Sequence, residues 1–219
     1  MKFALIPVKD LSKAKERLSS LLSQTDRTSL AHAMLEDVLR AVKGSRLLDR
    51  LCVVTLDEYA IEAAQNLGLE VIMEKKQEGE SASVDFASVI CKEMGAESVL
   101  VVPGDAPLII AEDIDFILEK EKPYSSAILV PSRDEMGTNA VLRKPPDCFP
   151  SRFGHNSFKK HIQEAEARGI PFEIFRLPRI ALDIDEPGDL QYLATQKMNT
   201  KTFAELIRIG VVEKIFERQ

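Results

Sequence analysis

Four groups of residues in this 219-residue chain have types and spacings that suit chemistry, and each falls where an apolar run gives way to polar residues. The first follows Pro7-Val8 and runs Lys9-Asp10-Leu11-Ser12-Lys13-Ala14-Lys15-Glu16-Arg17-Leu18. Several cations in one loop can hold a triphosphate without making the whole chain basic. The same pattern also suits a solvated basic turn. The loop lacks the G-x-x-x-x-G-K-[ST] of a P-loop and the G-x-G-x-x-G of a dinucleotide site. The second group is Pro103-Gly104-Asp105-Ala106-Pro107, after the run Val99 to Val102. Asp105 there suits Mg²⁺, which takes few protein ligands and fills its shell with water and phosphate oxygens. It also suits a turn, its carboxylate bonding local backbone.

The third group is Asp183-Ile184-Asp185-Glu186-Pro187. In a strand both aspartates point to one face. One can join Asp105 at a metal and the other can cap the helix that Pro187 opens. Two acids that close repel and raise a pKa unless a cation or a capping role relieves them. The fourth joins Gly137-Thr138-Asn139 to Arg152-Phe153-Gly154-His155-Asn156-Ser157-Phe158, where small residues and hydroxyls near a helix start offer anion donors. His155 reads more readily as a polar loop residue than as a base, and His32 and His161 read as ordinary helix residues.

The elements that must position these groups alternate between short apolar runs and helical periods. Strands are expected at Phe3 to Val8, Leu51 to Thr55, Leu69 to Met73 and Val99 to Val102. Helices are expected from an Asp26 N-cap through Val42, over Glu58 to Leu67 and over about Ser83 to Met94. Repeated strand–helix units predict a mostly parallel sheet covered on both faces, a three-layer α/β/α Rossmann-like architecture with ligands at the carboxyl strand ends. Later come a strand pair (Ser126 to Pro131, Asn139 to Leu142) and a helix from His155 to Arg168. Strands at Phe172 to Leu177 and Ile180 to Ile184 follow, then a helix opened by Glu186-Pro187. One domain is expected over residues 1–196, with 197–219 as its helical extension. The amphipathic tail from Thr202 to Phe216, with Phe203, Leu206, Ile207, Val211, Ile215 and Phe216 on one side, packs on the body or on a second subunit, which allows a homodimer.

Bulk properties remove whole classes of function. The net charge of −6 leaves no electrostatic footprint for nucleic acid. No apolar run approaches the roughly 20 residues of a membrane span, and no signal-peptide pattern opens the chain. Cys52, Cys91 and Cys148 match no metal or redox spacing and suit reduced thiols, so a cytoplasmic protein is expected.

Taken in order, the motifs resemble those of the guanylyltransferases that make the precursor of the deazaflavin coenzyme F-420, known as 2-phospho-L-lactate or phosphoenolpyruvate guanylyltransferases. The matching stretches are Pro7-Val8-Lys9 through Leu18, Val130-Pro131-Ser132-Arg133 through Ala140, Phe153-Gly154 through Phe158, and Leu182 through Pro187. They span most of the chain up to about residue 195. The resemblance implies a nucleotidyltransferase fold of the molybdenum-cofactor guanylyltransferase type. It implies that a phosphoacid (2-phospho-L-lactate, phosphoenolpyruvate or 3-phosphoglycerate) attacks the α-phosphate of GTP, and that pyrophosphate leaves. On matching positions, Lys9, Ser12, Lys15, Arg17 and Ser83 would hold the nucleotide, Thr138, Gly154 and Ser157 the phosphoacid, and Asp105 with Asp183 or Asp185 the Mg²⁺. Lys15, Arg17 and Asp105 would carry the chemistry, the two cations stabilising the departing pyrophosphate. The chain departs from the family where Glu78-Gly79-Glu80-Ser81-Ala82-Ser83 replaces Glu-x-Gly-Leu-Asn. It departs again where Gly104 and Ala106 flank Asp105, and where Asn156 replaces a glycine.

Other readings remain beside this one. A molybdopterin or sugar-phosphate nucleotidyltransferase would normally open on a Gly-rich L-x-G-G loop, which is missing here. A glycosyltransferase would carry its acidic motif nearer mid-chain. A catalytically silent nucleotide-binding relative is disfavoured by the retention of Lys15, Arg17, Asp105, Asp183 and Asp185.

Overall fold

The computed structural model describes residues 1–196 and 198–216, and the side chains of these up to residue 213. The apolar runs become β1 (Lys2–Pro7), β2 (Arg50–Val54), β3 (Glu70–Ile72), β4 (Ser98–Val101), β5 (Ser126–Pro131), β6 (Thr138–Lys144) and β7 (Phe172–Ile174). They form one sheet in the order β3-β2-β1-β4-β6-β5-β7. All neighbours are parallel except β6, which runs antiparallel to both β4 and β5. Between the strands run α1 (Gln24–Lys43), α2 (Glu58–Asn66), α3 (Glu80–Glu93), α4 (Ala111–Glu119) and α5 (Ser157–Ala167). After β7 come α6 (Pro187–Thr195), α7 (Lys201–Arg208) and α8 (Val211–Phe216).

Successive side chains of a strand leave opposite faces, and here both faces are covered. In β1, Ala4 and Ile6 join Leu35, Val38, Leu39 and Val42 of α1, while Phe3 and Leu5 join Val84, Ala87 and Cys91 of α3. Each fully buried Leu, Val or Phe of this kind contributes about 1.5–3 kcal/mol, which makes the central strands a rigid platform. From β1 the chain winds outward to β3 and then returns to β4 on the other side of β1. That reversal splays the loops after β1 and β4 apart and opens a crevice between them. Because β6 is antiparallel to β4, with Val141 opposite Val101, its first residues reach the same edge.

Several expected boundaries shift for local reasons. Helix α1 is capped by Ser23, whose hydroxyl accepts the Asp26 N–H at 3.1 Å, and Asp26 sits one turn in rather than at the cap. Helix α3 starts at Glu80, because Gly79 takes a positive φ of 115° that a side chain would resist. Helix α4 was absent from the expectations. The segment from Ile180 to Ile184 is not a strand. Ile180, Leu182 and Ile184 are buried in alternation, but no strand among the described residues pairs with them. Instead Ala181 accepts from Arg133 N at 2.9 Å and Ile184 N donates to the Asp105 carbonyl at 3.2 Å, so the segment is an extended strap across the crevice edge.

The tail folds as two helices, broken at Gly210 with φ 71°. It lies on the body: Asp37 of α1 accepts the Lys201 and Thr202 N–H groups at 3.1 and 2.7 Å, anchoring the start of α7. The side chains of Ile215 and Phe216 lie outside the described ones. No helix among the described residues is long and apolar enough to cross a membrane. All three cysteines are free, with Cys52 and Cys91 buried.

Candidate active site

The loop after β1 folds into two short 3-10 turns, Leu11–Lys13 and Glu16–Leu18. Asp10 caps the first by accepting from Ser12 N at 3.0 Å, and Leu18 and Leu11 plug the loop into apolar clusters. Between the turns Lys15 adopts a left-handed φ of 58°, a conformation that costs a non-glycine residue of order 1 kcal/mol. The strained backbone turns its side chain inward. Lys15 Nζ lies 2.5 Å from Asp105 Oδ2 and 2.9 Å from Asp185 Oδ1, with the side chain only 5% exposed. Thus the loop after β1, the loop after β4 and the strap meet on one ammonium group. Its neighbourhood is a crevice of about 490 Å³, floored by Ala31 and Leu35 of α1 and edged by Lys9, Gln77, Glu80 and Asp185. Gly104 lets the loop after β4 pack closely on α1, since a Cβ there would come within 3.3 Å of Leu35.

Charge is unevenly divided among these groups. Burial opposes the Lys15 charge, but the Asp105 and Asp185 carboxylates outweigh it and push its pKa up. Burial likewise opposes the Asp185 carboxylate, yet Lys15, followed by Arg17 and Lys9, brings its pKa below the usual range. Asp183 is the reverse case. Burial, followed by the Asp105 charge, raises it to about 6, against a hydrogen bond from Asn139 Nδ2 at 3.0 Å. Asp105 and Asp183 therefore form a repelling pair beside the crevice, hard oxygen donors of the kind that suits Mg²⁺. Among the described residues, no group of three or more His, Cys, Asp or Glu side chains is arranged as a metal cage. Two carboxylates suffice for an ion that shares its shell with phosphate and water.

Rim cations differ from the buried one. Lys9 Nζ sits 3.2 Å from Glu80, whose pKa burial raises while Lys9 draws it back. Arg17 is 69% exposed and approaches Glu186 at 3.5 Å and Asp185 at 3.9 Å. Both are loosely paired and free to turn toward an anion.

Comparison with known proteins decides what this geometry belongs to. Residues 1–217 match the profile of the family described as guanylyl transferase CofC like. The chain belongs to this family. A phosphoenolpyruvate guanylyltransferase of Conexibacter woesei is 34% identical over 192 residues, covering 87% of this chain and 86% of the relative. A 2-phospho-L-lactate guanylyltransferase of Methanosphaera stadtmanae is 30% identical over 210 residues, covering 94% and 90%. A solved structure titled putative nucleotide-diphospho-sugar transferase, from Desulfovibrio desulfuricans G20, superposes with a TM-score of 0.76 at 17% identity, covering 99% of this chain and 97% of that one. The fold is the Rossmann-like α/β fold of nucleotidyltransferases.

Within this guanylyltransferase-family chain most of the expected site residues fall in two neighbourhoods, and Ser12, Ser83 and Asp183 line neither. Lys9, Lys15, Asp105 and Asp185 line the crevice, with Arg17 at its rim. Thr138, Gly154 and Ser157 gather at the starts of β6 and α5: Ser157 Oγ accepts the Thr138 N–H at 2.7 Å, and Ser157 N donates to the Gly154 carbonyl at 3.0 Å. Asn139 links the two places, because its amide reaches both Asp183 and the Ile180 carbonyl at 2.9 Å. Ser12 donates its hydroxyl to Asp10 at 2.6 Å, and Ser83 is buried with its hydroxyl on the Glu74 carboxylate at 2.7 Å. His155 is exposed. Asn139, Gln77 and Glu80 were given no role by sequence reasoning. Asn139 carried a signal, standing directly after Thr138, whereas Gln77 reaches the crevice through its bond to the Val8 carbonyl at 3.2 Å and Glu80 through the turn at Gly79 that starts α3.

Proposed function

We propose that this chain transfers GMP from GTP to a small phosphoacid, in the class of phosphoenolpyruvate, 2-phospho-L-lactate or 3-phosphoglycerate, in the formation of the coenzyme F-420 precursor. The observation that carries the reading is the Lys15 ammonium shared by Asp105 and Asp185 inside a crevice at the carboxyl strand ends, in a chain of the guanylyl transferase CofC-like family. A phosphoryl oxygen of the acid forms a bond to the α-phosphorus of GTP, the bond from that phosphorus to the β-phosphate bridging oxygen breaks, and pyrophosphate leaves with the electron pair. A phosphate is already ionised at neutral pH, so no general base is needed, and positioning and charge neutralisation supply most of the acceleration.

Lys9 and Arg17 turn from Glu80 and Glu186 to the triphosphate, offsetting its charge. Asp105 and Asp183 would hold Mg²⁺, and when bound the ion screens the repulsion between two anionic substrates. Lys15 holds Asp105 and Asp185 in place and favours the ionised form of Asp185. Thr138, Gly154 and Ser157 orient the phosphoacid across from the nucleotide. The three acids, each offered with GTP and with ATP, test the reading by pyrophosphate release and product mass. One acid should give a guanosine diphosphate conjugate with GTP. Absence of product with every pair, in protein that binds GTP, would defeat the proposal.

A further inference from the structure

Hydrogen bonds around the start of α5 are spent in a pattern that the crevice does not explain. His161 is fully buried, packed by the rings of Phe153 at 5.0 Å and Phe149 at 6.3 Å. Its Nε2 accepts the backbone N–H of Arg152 at 2.8 Å, and its Nδ1 lies 2.9 Å from Thr138 Oγ1. A backbone amide can only donate, so Nε2 carries a lone pair. Burial, followed by the Arg143 charge, brings the imidazole pKa down to about 4, so the ring is neutral and its one proton is on Nδ1. The Thr138 hydroxyl must then accept from His161. The Ser157 hydroxyl also accepts, from Thr138 N at 2.7 Å.

Both hydroxyls thus keep their own protons unspent, and among the described residues neither donates to a protein acceptor. Thr138 is 6% and Ser157 2% exposed, so these protons are withdrawn from bulk water. Buried donors without an acceptor are costly and uncommon. The first two N–H groups of helix α5 add nothing to this surplus: with no side-chain cap from Asn156, Ser157 N and Phe158 N bond the Gly154 and Met136 carbonyls at 3.0 and 3.4 Å. The surplus is therefore the two hydroxyl protons, and a pair of donors without acceptors suits an anion.

We propose that His161 is a positioning residue: by donating from Nδ1 it turns the Thr138 hydroxyl proton away from the protein, so that Thr138 and Ser157 together form a paired donor site for a carboxylate or phosphate oxygen of the phosphoacid. This rests on the reading of Thr138, Gly154 and Ser157 as the acceptor pocket. The ring contributes through a tautomer that Arg152 dictates, so its two nitrogens have separable roles. An Asn side chain places its amide near Nδ1 and can still donate to Thr138. A Gln side chain places its amide near Nε2 and can serve only Arg152.

The test compares KM for GTP with KM for whichever of phosphoenolpyruvate, 2-phospho-L-lactate or 3-phosphoglycerate is turned over, in folded variants checked by circular dichroism. His161→Gln should raise the acceptor KM about tenfold, the effect of losing one well-placed hydrogen bond to an anion, and leave the GTP KM within about twofold. His161→Asn should recover most of that loss. In a Thr138→Val background, His161→Gln should add nothing further, since the threonine through which it acts is gone. Equal behaviour of the Gln and Asn variants, parallel rises in both KM values, or full additivity with Thr138→Val would overturn the inference. Ser157→Ala separates the two levels. If it raises the acceptor KM while His161→Gln does not, the pocket stands and the positioning role falls. If it leaves the acceptor KM unchanged, the pocket reading itself falls and takes this inference with it.

Discussion

Replacing Asp105 by Asn separates the metal-holding role proposed for this carboxylate from its structural one. The change keeps the shape and an oxygen that can accept from Lys15, but removes the charge. Lys15 stays paired, because Asp185 remains 2.9 Å away. Breaking a fully buried ion pair costs about 3–5 kcal/mol. Here the Asp105 side chain is 34% exposed and the surviving partner 46% exposed, so solvent screening reduces the loss to about 1–2 kcal/mol. For a chain of this size that lowers the melting midpoint by about 2–8 °C, well short of unfolding at assay temperature. Removing one preorganised electrostatic contact to a reacting phosphoryl group costs far more in the barrier, about 3–4 kcal/mol, or about 100- to 1,000-fold in turnover. Pyrophosphate release measured across a magnesium titration, beside thermal melts of the same preparation, checks both numbers. Turnover within about threefold of the unmodified protein, with an unchanged magnesium dependence, would refute the assignment of Asp105 to the ion.

Three more outcomes follow from the same geometry. The folded-state pKa of Asp183, about 6, lies above its unfolded value, so this group favours folding at low pH and loses that contribution as pH rises from about 4 to about 6. Relative to Asp183→Asn, which has no such titration, the unmodified protein should therefore weaken over that window in urea melts; a pH-independent difference would contradict the buried repulsion. Gln at Lys9 or Arg17 should raise the GTP KM by about three- to tenfold, less at high salt, while leaving melting within about 1 °C, because both cations are exposed and loosely paired. Arg143 is 1% exposed and bonds Asp85 at 3.0 Å, Ser88 at 2.7 Å and the Phe149 carbonyl at 2.7 Å. Arg143→Leu strands those partners and should cost about 2–4 kcal/mol by urea denaturation, since Asp85 keeps some solvent.

What the sequence made legible was whatever is local in the chain. The run Phe3 to Val8 and the cation loop behind it are adjacent, so a strand, its carboxyl end and the charges it presents are read together. Helix α4 escaped notice because its N-cap is Ile110, a residue with no capping oxygen. The cap is made backwards, by Asp113 accepting the Ile110 N–H at 3.2 Å, and is steadied by Arg179. The strap at Ile180 to Ile184 has the period of a strand, because alternate residues pack, but pairing is a property of the neighbour and the neighbour is absent. Ser23 and Asp26 are both good caps by type, and only the fold decides that serine caps while aspartate bonds back to it. His161 looked ordinary for the same reason. Its partners, Thr138 and the Arg152 amide, come from two other segments.

The greatest distance between a residue type and its role is at Lys15. By sequence it is one cation among several in a loop, equivalent to Lys9 and Arg17 as a phosphate holder. In the fold it is bound to acids 90 and 170 positions away and is nearly closed to solvent, while the other two stay at the rim. An ammonium already shared by two carboxylates offers little net charge to a triphosphate. What it offers is placement: it holds the β4 loop and the strap in one position, so that Asp105 and Asp185 line the crevice before any substrate arrives. A preorganised pair of that kind spends its reorganisation energy during folding rather than in the transition state, which is where electrostatic catalysis draws its advantage. The cations in this loop thus do different work, and burial is what separates them.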